Sequence, residues 1–351
     1  MIFTLSEEQS EFQKSVRRFF SEQFPSDKIR QLIVEDKTGV GVVLDAIRSL
    51  GLSELYGDSA SAPSGITELI ILARECGRHL IPDYLVQSLV TGPLLCSTFL
   101  LEQDKHSLDK QFGAGFCEKI RVGAVPVALA PRYLADQILS AESTSDVLRL
   151  MPFDRAARHA LFVGRSSITL VETEIVAREQ VLDITLPRSS VKVRSAVTVG
   201  GEAQHQLFRL LEVLLAAEIV GACERAVELV IGYAQTRKQF GKPIAAFQVV
   251  QHDLADIHLL VETFDSMLSI AIHGLSSEAG RSELAVAALL RALERDAVGL
   301  VERVIQIHGG IGFTWEHDAH LYLRRVMSQV ALLGDSVKDS AAFLSLARLS
   351  A

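Results

Sequence analysis

The stretch TRKQFGKPIAAFQ, residues 236–248, decides how the C-terminal part of this chain folds. Apolar runs with helical periodicity lie on both sides of it, so it connects two helices. A glycine, a proline, an aromatic ring and several cations occupy this first corner: Arg237, Lys238, Phe240, Gly241, Lys242 and Pro243. The plain interpretation is a helix stop at Gly241 and a helix start at Pro243, with cations that complement the helix dipole.

A second corner, QIHGGIGFTWEHDAH at 306–320, also lies between two long apolar runs. Its Gly-Gly-x-Gly spacing is not a dinucleotide fingerprint, because no strand precedes it and no βαβ unit surrounds it. A loop with free N–H groups before a helix can still bind phosphate, and glycine allows close approach of backbone and ligand. Two such corners on one bundle could together bind an adenine nucleotide, the first supplying charge and the second close backbone.

The remaining pattern predicts a mostly α protein with a small β domain. Helical periodicity starts after a plausible N-cap at Ser6, stops at Pro25, and returns at 42–51, 65–80 and 84–101. Five short β-branched runs follow, at 120–130, 147–153, 159–165, 167–174 and 189–199. Four long helices are predicted at 203–235, 244–274, 281–308 and 317–349. The predicted domains are an N-terminal helical domain (1–117), a shortened β domain (118–199) and a four-helix bundle (200–351).

Composition excludes several classes of protein. The chain has 351 residues, a net charge of −8 and a pI near 5.7, which argues against a nucleic-acid-binding protein. Its four cysteines show no metal-ligand spacing and fit reduced thiols. The N-terminus shows no signal-peptide pattern, and the longest apolar run, at 213–222, is too short to span a bilayer. We expect a cytoplasmic protein without a membrane span.

The corners resemble the C-terminal domain of the acyl-CoA dehydrogenase family, through YAQTRKQFGKPIAAFQVVQHDLADI at 233–257 and QIHGGIGFTWEHDAHLYLRR at 306–325. LGLSELYG at 50–57 and ELIILARECGRHLIP at 68–82 fit the opening domain of that family more loosely. The resemblance implies the family order of helical domain, β domain and helical bundle. It also implies FAD bound between subunits, oxidation of an acyl-CoA thioester at Cα–Cβ, and electron transfer to an electron-transfer flavoprotein.

The resemblance also implies roles for six residues, which we call the nucleotide cradle. Three of them would contact the pyrophosphate and adenosine of a neighbouring subunit's FAD, and three would line the same nucleotide. The first set is Arg237, Phe240 and Gln248, and the second is Gln306, Gly309 and Gly310.

The chain departs from the family where the flavin ring binds. Members carry a motif resembling T-E-P-x-x-G-S in the β domain, and the matching segment here is VALAPRYLADQ at 127–137. Only Pro131 remains, with Leu129 and Ala130 in place of the Thr and Glu. We expect the pocket for the isoalloxazine ring to be incomplete.

The family's catalytic glutamate is also missing from both of its usual places, which are occupied by Leu333 and Leu211. Asp335 lies two residues beyond the first place. Glu212 is turned about 100° from the second, and Glu218 shares its helix face but lies ~10 Å further along. Glu218 is either a displaced base with a raised pKa or a member of an ion pair inside the bundle.

The histidines of the second corner carry weaker alternatives. His308 fits loop packing or a nucleotide contact better than proton transfer. His317 and His320 have a spacing that metal ligands can use, but their segment matches a structural helix of the family, so we predict no metal site.

The leading hypothesis is a subunit with an incomplete active site that completes the FAD site of a larger, catalytically intact homologue. It resembles the smaller subunit of bacterial heteromeric acyl-CoA dehydrogenases that act on bulky steroid side-chain CoA esters. One alternative is a homomeric dehydrogenase with Glu218 or Asp335 as base. The other is a non-catalytic scaffold that keeps the fold without flavin.

Overall fold

The computed structural model describes residues 5–34, 65–81, 96, 102–121, 125, 127–129, 147–151, 158–163, 168–186, 188–199, 204–275 and 279–337. Helices dominate these ranges, and a five-stranded sheet lies between the N-terminal and C-terminal helices in sequence. The predicted class, mostly α with a small β part, is confirmed. The helices predicted at 42–51 and 84–101 lie outside the described residues, apart from Cys96.

The chain divides into two compact units. The first contains Met1–Asp27, Ile70–Ile81 and Glu212–Ala351, and the second contains Lys28–Leu69 and Pro82–Leu211. The domain boundaries at 117/118 and 199/200 stay a prediction.

The N-terminal helices begin where the sequence signals place them. Helix α1 (Glu7–Gln23) opens with a capping box, in which Ser6 Oγ accepts from the Gln9 backbone and the Gln9 side chain accepts from the Ser6 backbone. Its buried face carries Val16 and Phe20. The following helices are α2 (Ser26–Val34), α3 (Ile66–Arg78), α4 (Glu102–Phe112) and α5 (Phe116–Arg121).

Each of the five β-branched runs overlaps one strand of the sheet, and the fourth strand continues five residues past its predicted run. The strands are β1 (Val127–Leu129), β2 (Val147–Met151), β3 (His159–Val163), β4 (Ile168–Glu179) and β5 (Arg188–Val199). Their order in the sheet is β1-β3-β4-β5-β2, with β1 parallel to β3 and the other pairs antiparallel.

Four long helices follow: α6 (Gln204–Thr236), α7 (Gln248–Leu275), α8 (Ala279–His308) and α9 (Ala319–Val337). The start predicted for α7 at residue 244 is wrong by four residues, because a short hairpin and a 3-10 turn (Ile244–Ala246) fill the first corner. Helix α6 has buried residues around much of its circumference, which suits a helix packed on several sides.

Helices α3 and α6 cross at reciprocal glycines. A Cβ at Gly77 would lie 1.9 Å from the carbonyl oxygen of Glu218, and a Cβ at Gly221 would lie 1.9 Å from that of Arg74. Neither position has room for a methyl group, so the two backbones approach as closely as they do because both residues are glycine.

The C-terminal end of α3 is capped by side chains of α9. Leu80 adopts a left-handed conformation with φ 55°, which ends the helix. Tyr322 donates its hydroxyl to the Arg78 carbonyl at 2.8 Å. The buried guanidinium of Arg325 donates to the carbonyls of Leu80 and Ile81 at 2.9 and 2.8 Å. These bonds satisfy acceptors that a helix end leaves without partners.

Candidate functional site

The first corner is a two-residue β-hairpin. After α6 ends, β6 (Lys238–Gln239) pairs with β7 (Lys242–Pro243) in antiparallel register. Phe240 and Gly241 form the turn with φ 51° and 78°, the left-handed pair that twisted hairpins favour. The expectation that Gly241 ends a helix and Pro243 begins one is therefore wrong. The usual sequence signal for this turn is Asn-Gly, Asp-Gly or Gly-Gly, and here only the glycine at its second position is present.

Phe240 has a left-handed backbone conformation, which is unfavourable for a non-glycine residue, and its side chain is little buried. A left-handed conformation costs a non-glycine residue about 1–2 kcal/mol. The Phe240 side chain is 92% exposed, so packing within this chain does not offset that cost. Backbone strain of this kind is typical of functional positions.

The hairpin carries cations without carboxylate partners. Arg237, Lys238 and Lys242 are exposed, and none of the three forms an ion pair within the part of the chain that the structure describes. The Lys242 ammonium lies 4.3 Å from the centroid of the Phe247 ring. Such a group of cations suits an anion with more than one charge, such as a pyrophosphate.

The second corner presents open backbone. Helix α8 ends at His308, and a 3-10 turn (Gly309–Phe313) follows. Gly309 has φ 66°, and a Cβ built on Gly309 or Gly310 would meet no atom within 4 Å. The side chain of Gln306 is exposed beside them. A ligand can therefore approach this backbone without obstruction from the described residues.

Three rings join the two corners. Tyr233 lies one turn before Arg237, whose backbone N–H donates to the Tyr233 carbonyl at 2.8 Å. The centroid of the Tyr233 ring lies 4.8 Å from that of His308 and 6.2 Å from that of His317. The two histidine rings are 4.2 Å apart. We call Tyr233, His308 and His317 the ring cluster. Through it the corners meet at one end of the bundle.

His308 is the central member of the ring cluster. Its Nδ1 donates to the Val304 carbonyl at 2.8 Å, so the neutral ring carries its lone pair on Nε2. That Nε2 is buried and has no hydrogen-bond partner within the described residues. Burial lowers the pKa of His308, and the proximity of His317 lowers it further, against the effect of the Val304 carbonyl. The neutral ring is favoured.

His317 has a structural bond of its own. Its Nδ1 accepts from the Ala319 backbone N–H at 3.2 Å, at the start of α9. This bond fits the structural role that the sequence favoured for the segment over a metal site.

Of the two usual places of the family's catalytic glutamate, the one occupied by Leu333 is buried. Leu333 is 1% exposed, so its side chain is packed inside the protein. Leu211 is half-buried. The side chain of Asp335 lies outside the described residues, and its role stays a prediction.

Glu218 is buried in the middle of α6, at 2% exposure. Gln329, on α9, donates its Nε2 to the Glu218 Oε2 at 2.5 Å. The carboxylate thus has an amide partner, and the ion pair that the sequence offered as an alternative stays a prediction. The segment 130–137, which holds most of the altered ring-pocket motif, lies outside the described residues, while Val127–Leu129 forms β1.

A separate cavity of about 370 Å³ lies among α1, α3, α6 and α7. Its charged lining groups bind one another. Arg17 donates to the buried Glu75, while Arg74 pairs with Glu224 at 3.2 Å and Asp265 at 2.6 Å. This network ties the helices together, so the arginines that line the cavity are paired with carboxylates, unlike the cations of the first corner.

Known proteins share both the sequence and the fold. The family model for the acyl-CoA dehydrogenase C-terminal domain matches residues 201–336. Acyl-CoA dehydrogenase IpdE2 of Mycobacterium tuberculosis is 40% identical over 268 residues, which cover 76% of this chain and 74% of that protein. The chain belongs to the acyl-CoA dehydrogenase family.

Solved structures of acyl-CoA dehydrogenases agree with this membership. The Tcur3481–Tcur3483 steroid ACAD G363A variant matches with a TM-score of 0.77 at 18% identity, over 99% of both chains. The ChsE4–ChsE5 complex from Mycobacterium tuberculosis matches with a TM-score of 0.74 at 18% identity, over 98% of this chain and 99% of that one. At such identities these matches establish the fold of this acyl-CoA dehydrogenase. Within the described ranges, none of its helices combines the length and apolarity that a bilayer crossing needs.

Proposed function

We propose that this chain is the nucleotide-holding subunit of a heteromeric acyl-CoA dehydrogenase, which desaturates an acyl-CoA thioester between Cα and Cβ. One observation carries the proposal. The two corners are assembled and exposed at one end of the bundle, whereas leucines occupy both usual places of the catalytic glutamate. A chain that keeps its nucleotide site but lacks a base is useful when a homologous partner supplies the chemistry.

The cradle residues fit the adenosine diphosphate end of FAD. The Arg237 guanidinium, which has no carboxylate partner among the described residues, suits the pyrophosphate, and Lys238 and Lys242 add positive charge nearby. Phe240 offers an exposed ring, and Gln248 and Gln306 offer exposed amides. Gly309 and Gly310 leave room for close approach of the nucleotide. FAD, when bound, supplies the acceptor for the hydride from the thioester.

The partner is a larger acyl-CoA dehydrogenase subunit that contributes the ring pocket and the glutamate. Two proteins of the same fold have two-component names, the Tcur3481–Tcur3483 steroid ACAD and the ChsE4–ChsE5 complex. They support a paired arrangement, and the first supports a bulky steroid side-chain CoA ester as substrate. An electron-transfer flavoprotein would then reoxidise the flavin.

The homomeric alternative requires Glu218 or Asp335 to act as base. The hydrogen bond from Gln329 counts against Glu218, because a base must reach the proton that it removes. The scaffold alternative has to explain why exposed cations, a strained aromatic residue and open glycine backbone meet at one place.

The test is flavin absorbance with a subunit count, on the chain alone and co-expressed with the homologue encoded next to its gene. We expect a colourless chain alone and about one FAD per pair of unlike chains in the complex, since each FAD takes contacts from both. Arg237→Ala in the complex should release flavin, whereas the exposed Arg291→Ala on α8 should not. A yellow chain alone with one FAD per chain would support the homomeric enzyme, and a complex without flavin would support the scaffold.

A further inference from the structure

The ring cluster is the connection between the two halves of the nucleotide cradle. Arg237 and Phe240 belong to the hairpin after α6, and Gly309 and Gly310 to the turn after α8. These halves follow the helix ends at Thr236 and His308, which are far apart in sequence. Both halves must keep one spacing if a single nucleotide is to touch them together.

His308 is placed to set that spacing. It immediately precedes Gly309, so the turn begins at the residue that carries the packed ring. Its ring packs at 4.8 Å against Tyr233, one turn before the hairpin, and at 4.2 Å against His317, which precedes α9. The bond from Nδ1 to the Val304 carbonyl holds the ring in this orientation.

We propose that His308 is a positioning residue for the nucleotide cradle, and that only its neutral ring holds the two corners at the spacing that FAD needs. The inference rests on the proposed function above. His308 does not contact the nucleotide in this proposal. It acts through the backbone of Gly309 and through Tyr233.

The charge requirement follows from the surroundings of the ring. Tyr233 from α6 and His317 from the segment before α9 are the titratable side chains that the described structure sets against it, and neither is a carboxylate that could pair with an imidazolium. A second proton would enter at the buried Nε2, where no acceptor among the described residues receives it. Protonation therefore places an uncompensated charge between the two corners.

The direction of the pH effect is fixed by the lowered pKa of His308. The intact spacing is fully favoured above the ordinary histidine pKa of about 6.5 and is lost as the pH falls below it, toward the lowered pKa of the packed ring. For each unit by which the pKa of the packed ring lies below that of the released ring, complete protonation lowers the nucleotide affinity about tenfold. FAD should therefore bind more weakly at about pH 5.5 than at about pH 7.5.

Two variants separate the ring from its charge. His308→Phe keeps an aromatic ring but cannot be protonated and loses the bond to Val304, so FAD affinity at neutral pH should fall by less than about tenfold and lose its acid dependence. His308→Asn keeps a donor for Val304 but removes the ring, and it should weaken FAD binding about tenfold or more at every pH. His258→Phe, an exposed histidine on α7, is the control and should leave the wild-type pH profile unchanged.

A distance measurement on the full chain provides a readout without flavin. Nitroxides on Gln235→Cys and Glu316→Cys, both exposed, report the spacing between the end of α6 and the connection before α9. Cys76, Cys96, Cys117 and Cys223 are buried, so labels should react at the introduced positions. Pulsed electron resonance should give one narrow distribution at neutral pH that broadens on acidification. The broadening should be absent in His308→Phe, and His308→Asn should be broad throughout.

The outcomes distinguish this inference from the proposed function. Suppose that the complex holds flavin, but that His308→Phe changes neither the label distance nor the pH profile. The positioning role of His308 would then be overturned, and the proposed function would stand. Suppose instead that the label distance changes with pH and with the variants as expected, but that the complex holds no flavin. The nucleotide-holding function would then be overturned, and with it the role of His308 toward FAD. Acid-dependent broadening that persists in His308→Phe would assign the titration to another group and overturn the inference.

Discussion

Glu218 and Gln329 form a buried hydrogen-bonded pair between α6 and α9, with 2.5 Å between the carboxylate oxygen and the amide nitrogen. Glu218→Gln keeps an acceptor for that amide and removes the charge. We expect the heteromeric complex to keep its turnover, because the proposed function assigns the base to the partner. Loss of a true base would reduce turnover about a hundredfold or more, and steady-state kinetics of the variant complex would reveal it. Such a loss would move the catalytic base onto this chain.

The leucine at position 333 differs from the one at 211 in burial, and glutamate should be tolerated differently at each. Leu333→Glu places a carboxylate in a packed interior and should destabilise the chain by about 3 kcal/mol or more. Leu211→Glu, at a half-buried position, should cost less. Chemical denaturation measures both values, and neither variant should gain dehydrogenase activity alone. Activity in either one would show that the ring pocket is intact after all.

Gly221 should be intolerant of even a methyl group. Gly221→Ala drives its Cβ to 1.9 Å from the Arg74 carbonyl, so the helices must separate, at about 1–3 kcal/mol or more. Gly232→Ala in the same helix meets no atom within 4 Å and should stabilise the chain by about 0.5–1 kcal/mol. Thermal unfolding of the pair checks the prediction. Equal melting temperatures would contradict the close crossing.

A substitution of Phe240 in the hairpin turn should have opposite effects on the stability of the chain and on its binding of FAD. Phe240→Asn places Asn-Gly in the turn, the preferred pair for this conformation, and should raise stability by about 0.5–1 kcal/mol. The same change removes the exposed ring and should weaken FAD capture by the complex. Gln239→Asn, outside the left-handed turn, should change neither quantity much. If Phe240→Asn binds flavin as the wild type does, the strained aromatic residue serves another purpose.

The bonds from Arg325 to the end of α3 should matter for stability. Arg325→Met keeps much of the side-chain volume but leaves the carbonyls of Leu80 and Ile81 without their donors. We expect a loss of about 2–4 kcal/mol, measured by denaturant unfolding. Arg295→Met, at an exposed position on α8, should stay within about 0.5 kcal/mol of the wild type.

Sequence patterns predicted the elements of this fold well where periodicity is strong. The N-cap at Ser6, the five strand-forming runs and the four long helices all follow from local chemistry that acts within a few residues. The sequence allowed the two corners to meet, because both lie at helix ends in a bundle. The hairpin at Phe240 was missed because Gly241 and Pro243 also fit a direct helix–helix connection, and an aromatic residue at a left-handed position is rare.

Other features depend on distant contacts that no local pattern contains. The hydrogen bond from the Gln329 amide to Glu218, 111 positions away, could not be predicted from the sequence alone. The ring cluster likewise needs three helix ends in register, and its spacing is decided by how α6, α8 and α9 pack.

The cap on α3 has a consequence for how the protein is made. The acceptors at the end of α3 receive their donors from Tyr322 and Arg325, which are 244 or 245 positions further along the chain. A nascent chain emerges from the ribosome N-terminus first, at about 5–20 residues per second. The end of α3 therefore waits several seconds or more for its donors, until translation is nearly complete. During that interval the N-terminal helices are exposed to chaperones and proteases.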